Sequence, residues 1–119
     1  MSKSSASSAA YLKFLRLAQA LRQMPSFPAL DPLEERFLND LAGAWHDGRQ
    51  VTVLEAMQIS ADASARTLHR RLKSMQDKGV LSLTADTQDS RIKYITPTPA
   101  TQRYFAAMGN CLRAASQKG

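Results

Sequence analysis

The stretch Ser64–Leu81, SARTLHRRLKSMQDKGVL, admits few structures. Leu68, Leu72 and Met75 recur at i, i+4 and i+7, the spacing of one narrow stripe along an α-helix. Ser64 stands where an N-cap is needed. Gly79 stands where such a helix stops, with Lys78 at the negative end of the helix dipole. The stripe must bury against other elements, which leaves Arg66, His69, Arg70 and Lys73 outside it, with Arg71 at its border. A cationic outer face is either a solvated surface or a docking surface for an anion. What flanks the helix decides between the two.

Upstream, Thr52-Val53-Leu54-Glu55 has the capping-box pattern and opens a short helix running to about Ser60, preceded by one short strand at Gln50 and Val51. Before that, Asp31-Pro32-Leu33-Glu34 is a strong helix start: a capping carboxylate, a proline where its missing N–H costs nothing, and a reciprocal glutamate. Leu33, Phe37, Leu38, Leu41 and Trp45 follow at helical spacing until Gly48 stops the run. Downstream, Val80–Thr84 alternates around Leu81 and Leu83, and Ile92–Thr96 is β-branched and aromatic. The polar ADTQDSR between them predicts a hairpin.

Two helices flank this block. Tyr11 to about Gln23 presents Tyr11, Leu12, Phe14, Leu15, Ala18 and Leu21, and Pro25 and Pro28 end it. In the loop MPSFPAL, Phe27 and Leu30 pack down. Thr98-Pro99 opens a last helix with Tyr104, Phe105, Met108, Cys111, Leu112 and Ala115 on a broad apolar face. The order helix, helix, short strand, helix, helix, strand, strand, helix predicts a mainly α fold with a small β-hairpin wing, a winged helix-turn-helix. Residues 1–10, Ser/Ala-rich, are expected to be a flexible tail, with the alternative that part of it joins the first helix. Residues 11–119 are expected to form one domain, with its core at 31–98 and flanking helices at 11–24 and 99–116.

The charge distribution agrees. The net charge is +6 over 119 residues. Residues 64–93 hold seven Lys/Arg against three acids, whereas residues 25–63 hold seven acids against two arginines. The basic block therefore coincides with the cationic helix and the hairpin, and it calls for an acidic partner, nucleic acid first and an anionic membrane second. The single cysteine, Cys111, allows no intrachain disulfide and fits a reducing cytoplasm. No apolar run approaches the ~20 residues of a membrane span. His46 and His69 are too scattered for a metal site, and no catalytic constellation or phosphate loop is present, so neither an enzyme nor a cofactor is expected.

Residues 31–98 resemble a MarR-type winged helix, the fold of many small bacterial transcriptional regulators. The resemblance is carried by TVLEAM as the first helix of the pair, SARTLHRRLKSMQDKGVL as recognition helix and first wing strand, and DTQDSRIKYITPT as the wing, whose Asp89-Ser90-Arg91 matches the family's Asp-x-Arg feature. The chain departs from the family in a slightly long ISADA turn and in its short length, which leaves less helix for dimerisation and puts the family's ligand pocket in doubt. The resemblance implies that Arg91 enters a minor groove while Asp89 holds it. A small-molecule effector is left open as a further partner, since no residue singles out its chemistry.

The expected function is sequence-specific double-stranded DNA binding by a dimeric regulator. Arg66, Thr67, Arg70 and Lys73 would read or clamp the major groove, with Ser64 and His69 beside them. Lys93 would touch the backbone next to Arg91 and Asp89. Tyr11, Phe14, Leu15 and Ala18, with Tyr104, Phe105, Met108 and Leu112, make wide apolar faces that a twofold dimer would cover. Two other classes stay open: a winged helix that docks an acidic protein instead of DNA, and an enzyme with a site of scattered residues.

Overall fold

Caps set the helix boundaries in the computed structural model, which describes residues 3–23, 27–59 and 63–117. The elements are α1 (Lys3–Arg22), α2 (Pro32–His46), β1 (Val51–Thr52), α3 (Val53–Ile59), α4 (Ala65–Asp77), β2 (Leu81–Ala85), β3 (Lys93–Pro97) and α5 (Pro99–Ser116). The Asp31 carboxylate accepts from Glu34 N–H at 2.8 Å, and Glu34 answers by accepting from Asp31 N–H at 3.0 Å. Thr52 and Glu55 repeat the box at α3, with bonds of 3.1 and 3.2 Å. Ser64 caps α4 through Thr67 N–H at 3.2 Å.

The C-termini of α2 and α4 close alike. Gly79 takes φ +79°, which a β-carbon disfavours. Its N–H bonds Gln76 O, while Val80 N–H reaches back to Met75 O at 2.8 Å. Gly48, also at φ +79°, does the same after α2, with Arg49 N–H bonding Ala44 O. These paired bonds satisfy carbonyls that the helix leaves free and turn the chain sharply into β2 and toward β1.

The chain divides into two compact units, residues 30–98 and residues 1–29 with 99–119. The central unit holds a three-stranded antiparallel sheet of order β1-β3-β2. Ile95 in the middle strand pairs with Val51 on one side and Leu83 on the other. Phe37, Leu41, Val51, Ala56, Leu68, Met75, Val80 and Ile95 are each at most 1% exposed and make one core between α2, α3, α4 and the sheet. Trp45 is half-buried, and its indole N–H donates to Ile95 O at 3.1 Å, tying α2 to the sheet. Thr98 hydroxyl donates to Gly79 O at 2.7 Å, fastening the end of β3 to the turn after α4.

The second unit packs α1 on α5, with Phe27 stacked on Tyr104 at a centroid distance of 4.1 Å. Three expectations change. The helix expected from Tyr11 begins at Lys3, so that the Ser/Ala-rich stretch joins it, because serine and alanine extend a helix once an apolar segment has nucleated it. Leu83, expected as an inward strand residue, is 36% exposed, because β2 buries only Leu81 and its other residues face solvent. Ala18, expected on a dimer face, is 1% exposed and packs inside its own chain. Pro25 and most of the ISADA turn lie outside the described residues.

Candidate nucleic-acid interface

On α4 the apolar stripe is buried as its spacing demands: Leu68 0%, Leu72 4% and Met75 0% exposed. At 100° per residue, Arg66, Arg70 and Lys73 then fall within about 60° of arc on the opposite side. All three are exposed, as is His69 at the edge of that face. The stripe thus fixes where the cations point without touching them.

The remaining cations of this segment are spoken for. Arg71 Nε lies 3.2 Å from an Asp31 carboxylate oxygen. Lys78 Nζ lies 2.7 Å from Glu34, whose side chain is 1% exposed. Burial pushes the Glu34 carboxyl up, but hydrogen bonds from Lys78, the Asp31 amide and Ser74, with the Lys78 charge, outweigh it and hold the group below its ordinary value. The acidic start of α2 therefore neutralises two basic residues of the α4 segment and leaves the outward ones available.

Ser64 and Thr67 sit at the start of α4 with their hydroxyls 3.0 Å apart. Ser64 is exposed and Thr67 half-buried, and both are engaged in the cap. Any contact they make with a ligand is shared with that capping role.

The hairpin carries the second cationic element. The Asp89 carboxylate accepts from Arg91 Nε and Nη2, both at 3.0 Å, and from Arg91 N–H at 3.1 Å. These bonds hold Asp89 below the ordinary aspartate value and raise Arg91 above the ordinary arginine value. The Arg91 side chain is 88% exposed, so a guanidinium with a defined orientation stands in solvent with its remaining N–H groups free for another acceptor. Lys93, two residues on, is also exposed.

The structure brings Asp89 and Arg91 into contact and gathers Arg66, Arg70 and Lys73 on one face. Both groups lie in the same compact unit. Sequence reasoning missed Asp86 and Tyr94, which bond each other at 2.9 Å below the hairpin tip. The available signal was an aspartate at the head of a turn, the usual place for a side chain that caps backbone N–H groups. It also missed an open groove of about 600 Å³, in which Leu54 (74% exposed), Leu83 and Ile92 adjoin Arg91 and Lys93.

No family model and no curated protein sequence matches this chain. Solved structures do. MepR of S. aureus, bound to ethidium bromide, superposes with a TM-score of 0.68 over 96% of this chain and 77% of that one, at 15% identity. The transcriptional regulator Tm0710 from Thermotoga maritima gives 0.59 over 88% of this chain and 66% of that one, at 12% identity. A probable transcriptional regulator from Pseudomonas aeruginosa gives 0.52 over 89% and 76%, at 18% identity. The fold is the MarR-type winged helix. In its terms α3 and α4 are the helix-turn-helix pair, and β2 and β3 with their turn are the wing. Among the described residues, no helix is long and apolar enough to cross a membrane.

Proposed function

We propose that this winged helix binds double-stranded DNA sequence-specifically, as a homodimeric transcriptional regulator acting in the cytoplasm. The observation that carries the reading is the pair of cationic elements on one unit: Arg66, Arg70 and Lys73 on the outer face of α4, and Arg91 held by Asp89 on the wing. A major groove admits one α-helix, and an arginine can hold guanine O6 and N7 together. A narrow minor groove concentrates negative potential and attracts an arginine such as Arg91. Ser64, Thr67 and His69 would contact backbone or base edges at the rim, and Lys93 the phosphates beside the wing.

The dimer would form through α1 and α5. Tyr11, Leu12 and Leu112 are 61%, 56% and 57% exposed, and Phe14, Leu15, Phe105 and Met108 are half-buried. Tyr104 belongs to this face only in part, since its ring is stacked on Phe27. Exposed apolar groups on a helix pair favour association with a second copy. MepR with ethidium bromide and PefR in complex with heme support a small-molecule effector as a further partner.

Fluorescence-anisotropy titration into random-sequence duplex DNA at several salt concentrations tests the reading. The expected result is binding that weakens steeply with salt, with a slope of roughly 0.9 per phosphate contacted. A second reading, a module that docks an acidic protein, draws on the exposed Leu54, Leu83 and Ile92 beside Arg91 and Lys93. Absence of duplex binding at low salt favours it.

A further inference from the structure

We propose that Asp86 and Tyr94 are positioning residues for the wing arginine: they lock the turn that aims the Asp89 carboxylate, and through it Arg91, at DNA. The inference rests on the DNA-binding reading above and extends it to residues outside the Asp-x-Arg triplet.

One oxygen of Asp86 accepts the backbone N–H groups of Gln88 at 2.9 Å and Asp89 at 3.0 Å. Its other oxygen accepts the Tyr94 hydroxyl at 2.9 Å. Asp86 thus ties the wing tip to β3. Tyr94 is a firm anchor, because it lies in the middle strand, in register with Thr52 of β1 and Thr84 of β2. The backbone completes the frame: Asp86 N–H bonds Ile92 O at 2.9 Å, and Ile92 N–H bonds Asp89 O at 3.0 Å. Asp89 is therefore held at its N–H and at its C=O before its side chain meets Arg91.

Two carboxylates within one tight turn repel each other, and repulsion alone would open the tip. Each is offset here by three donated hydrogen bonds: Gln88, Asp89 and Tyr94 to Asp86, and the three from Arg91 to Asp89. The arrangement commits both carboxylates to the turn and leaves the arginine as its outward charge. A long exposed side chain otherwise loses its rotamer freedom when it enters a groove, and a guanidinium already oriented loses less.

The test uses the full chain as wild type, Tyr94→Phe, Asp86→Asn, Arg91→Ala and the double variant Tyr94→Phe/Arg91→Ala. Duplex affinity is read by anisotropy, and exchange of the Arg91 Nε proton is read by NMR in the absence of DNA. The expected result is an affinity loss of about three- to tenfold for Tyr94→Phe and for Asp86→Asn, the size of one or two hydrogen bonds. That loss disappears in the Arg91→Ala background, and the Nε proton exchanges faster in both single variants. Wild-type affinity in Tyr94→Phe and Asp86→Asn overturns the proposal. So does the same loss with and without Arg91, since the tyrosine then supports only the fold. Wild type that fails to bind duplex DNA removes the DNA-binding reading instead. The Nε proton then decides the clamp by itself: unchanged exchange in Tyr94→Phe overturns it, and faster exchange upholds it.

Discussion

Glu34, at the start of α2, holds Lys78, the residue after α4, through a part-buried 2.7 Å bond. The same glutamate oxygen accepts the Asp31 amide, so one buried atom serves a helix cap and a long-range ion pair. Glu34→Gln is expected to cost about 1–3 kcal/mol in denaturant unfolding, the range for an unsatisfied buried group or a charged hydrogen bond. The Lys78 side chain is one-third exposed and can turn to water, which keeps the cost below that of a fully enclosed pair.

The same pair predicts an acid limit to stability. Glu34, Asp86 and Asp89 all titrate below their ordinary values in the folded chain. Their folded values lie under the unfolded ones, so the unfolded chain binds more protons in acid. The stabilisation is complete above the unfolded range, about pH 4, and is lost as pH falls through the folded values. Thermal melts between pH 6 and pH 3 are expected to show a falling midpoint, with a shallower fall in Glu34→Gln.

Arg70 and Arg71 are neighbours in sequence with different expected roles. Arg70→Ala is expected to weaken duplex binding about tenfold or more and to reduce the salt slope, with unfolding unchanged. Arg71→Ala is expected to leave duplex affinity close to wild type and to cost under ~1 kcal/mol of stability, since it removes a half-exposed ion pair with Asp31. Equal losses of DNA affinity in the two variants would show that Arg71 leaves Asp31 when DNA binds.

Gly79 connects α4 to β2 at positive φ, with nothing within 4 Å of where a β-carbon would lie. Gly79→Ala therefore tests backbone strain rather than a clash. A loss of about 1–2 kcal/mol is expected, the usual cost of the left-handed region for a residue with a β-carbon. Chemical denaturation measures it directly.

The proposed dimer is tested at Leu112, 57% exposed on α5. Leu112→Glu places a charge in the apolar face and is expected to shift sedimentation from dimer to monomer, with the far-ultraviolet circular dichroism unchanged. A protein that sediments as a monomer before substitution would remove α1 and α5 as the interface.

Local chemistry was readable from the chain alone. The boxes at Asp31/Glu34 and Thr52/Glu55, the Ser64 cap and the stops at Gly48 and Gly79 are each decided within a few residues. Periodicity then set which side of α4 is apolar, and hence where Arg66, Arg70 and Lys73 point. The Asp89–Arg91 contact was accessible for the same reason, because its partners are two residues apart. Tertiary structure decided what depends on distant partners. The sequence sets Arg71 at the border of the apolar stripe and Lys78 at the end of its helix, but only the fold brings Asp31 and Glu34 of α2 against them. Tyr94 looks like an ordinary strand aromatic until the hairpin register sets it below Asp86. Helix and turn signals reside in neighbouring residues, whereas which charges are cancelled and which remain outward depends on where the chain folds back on itself.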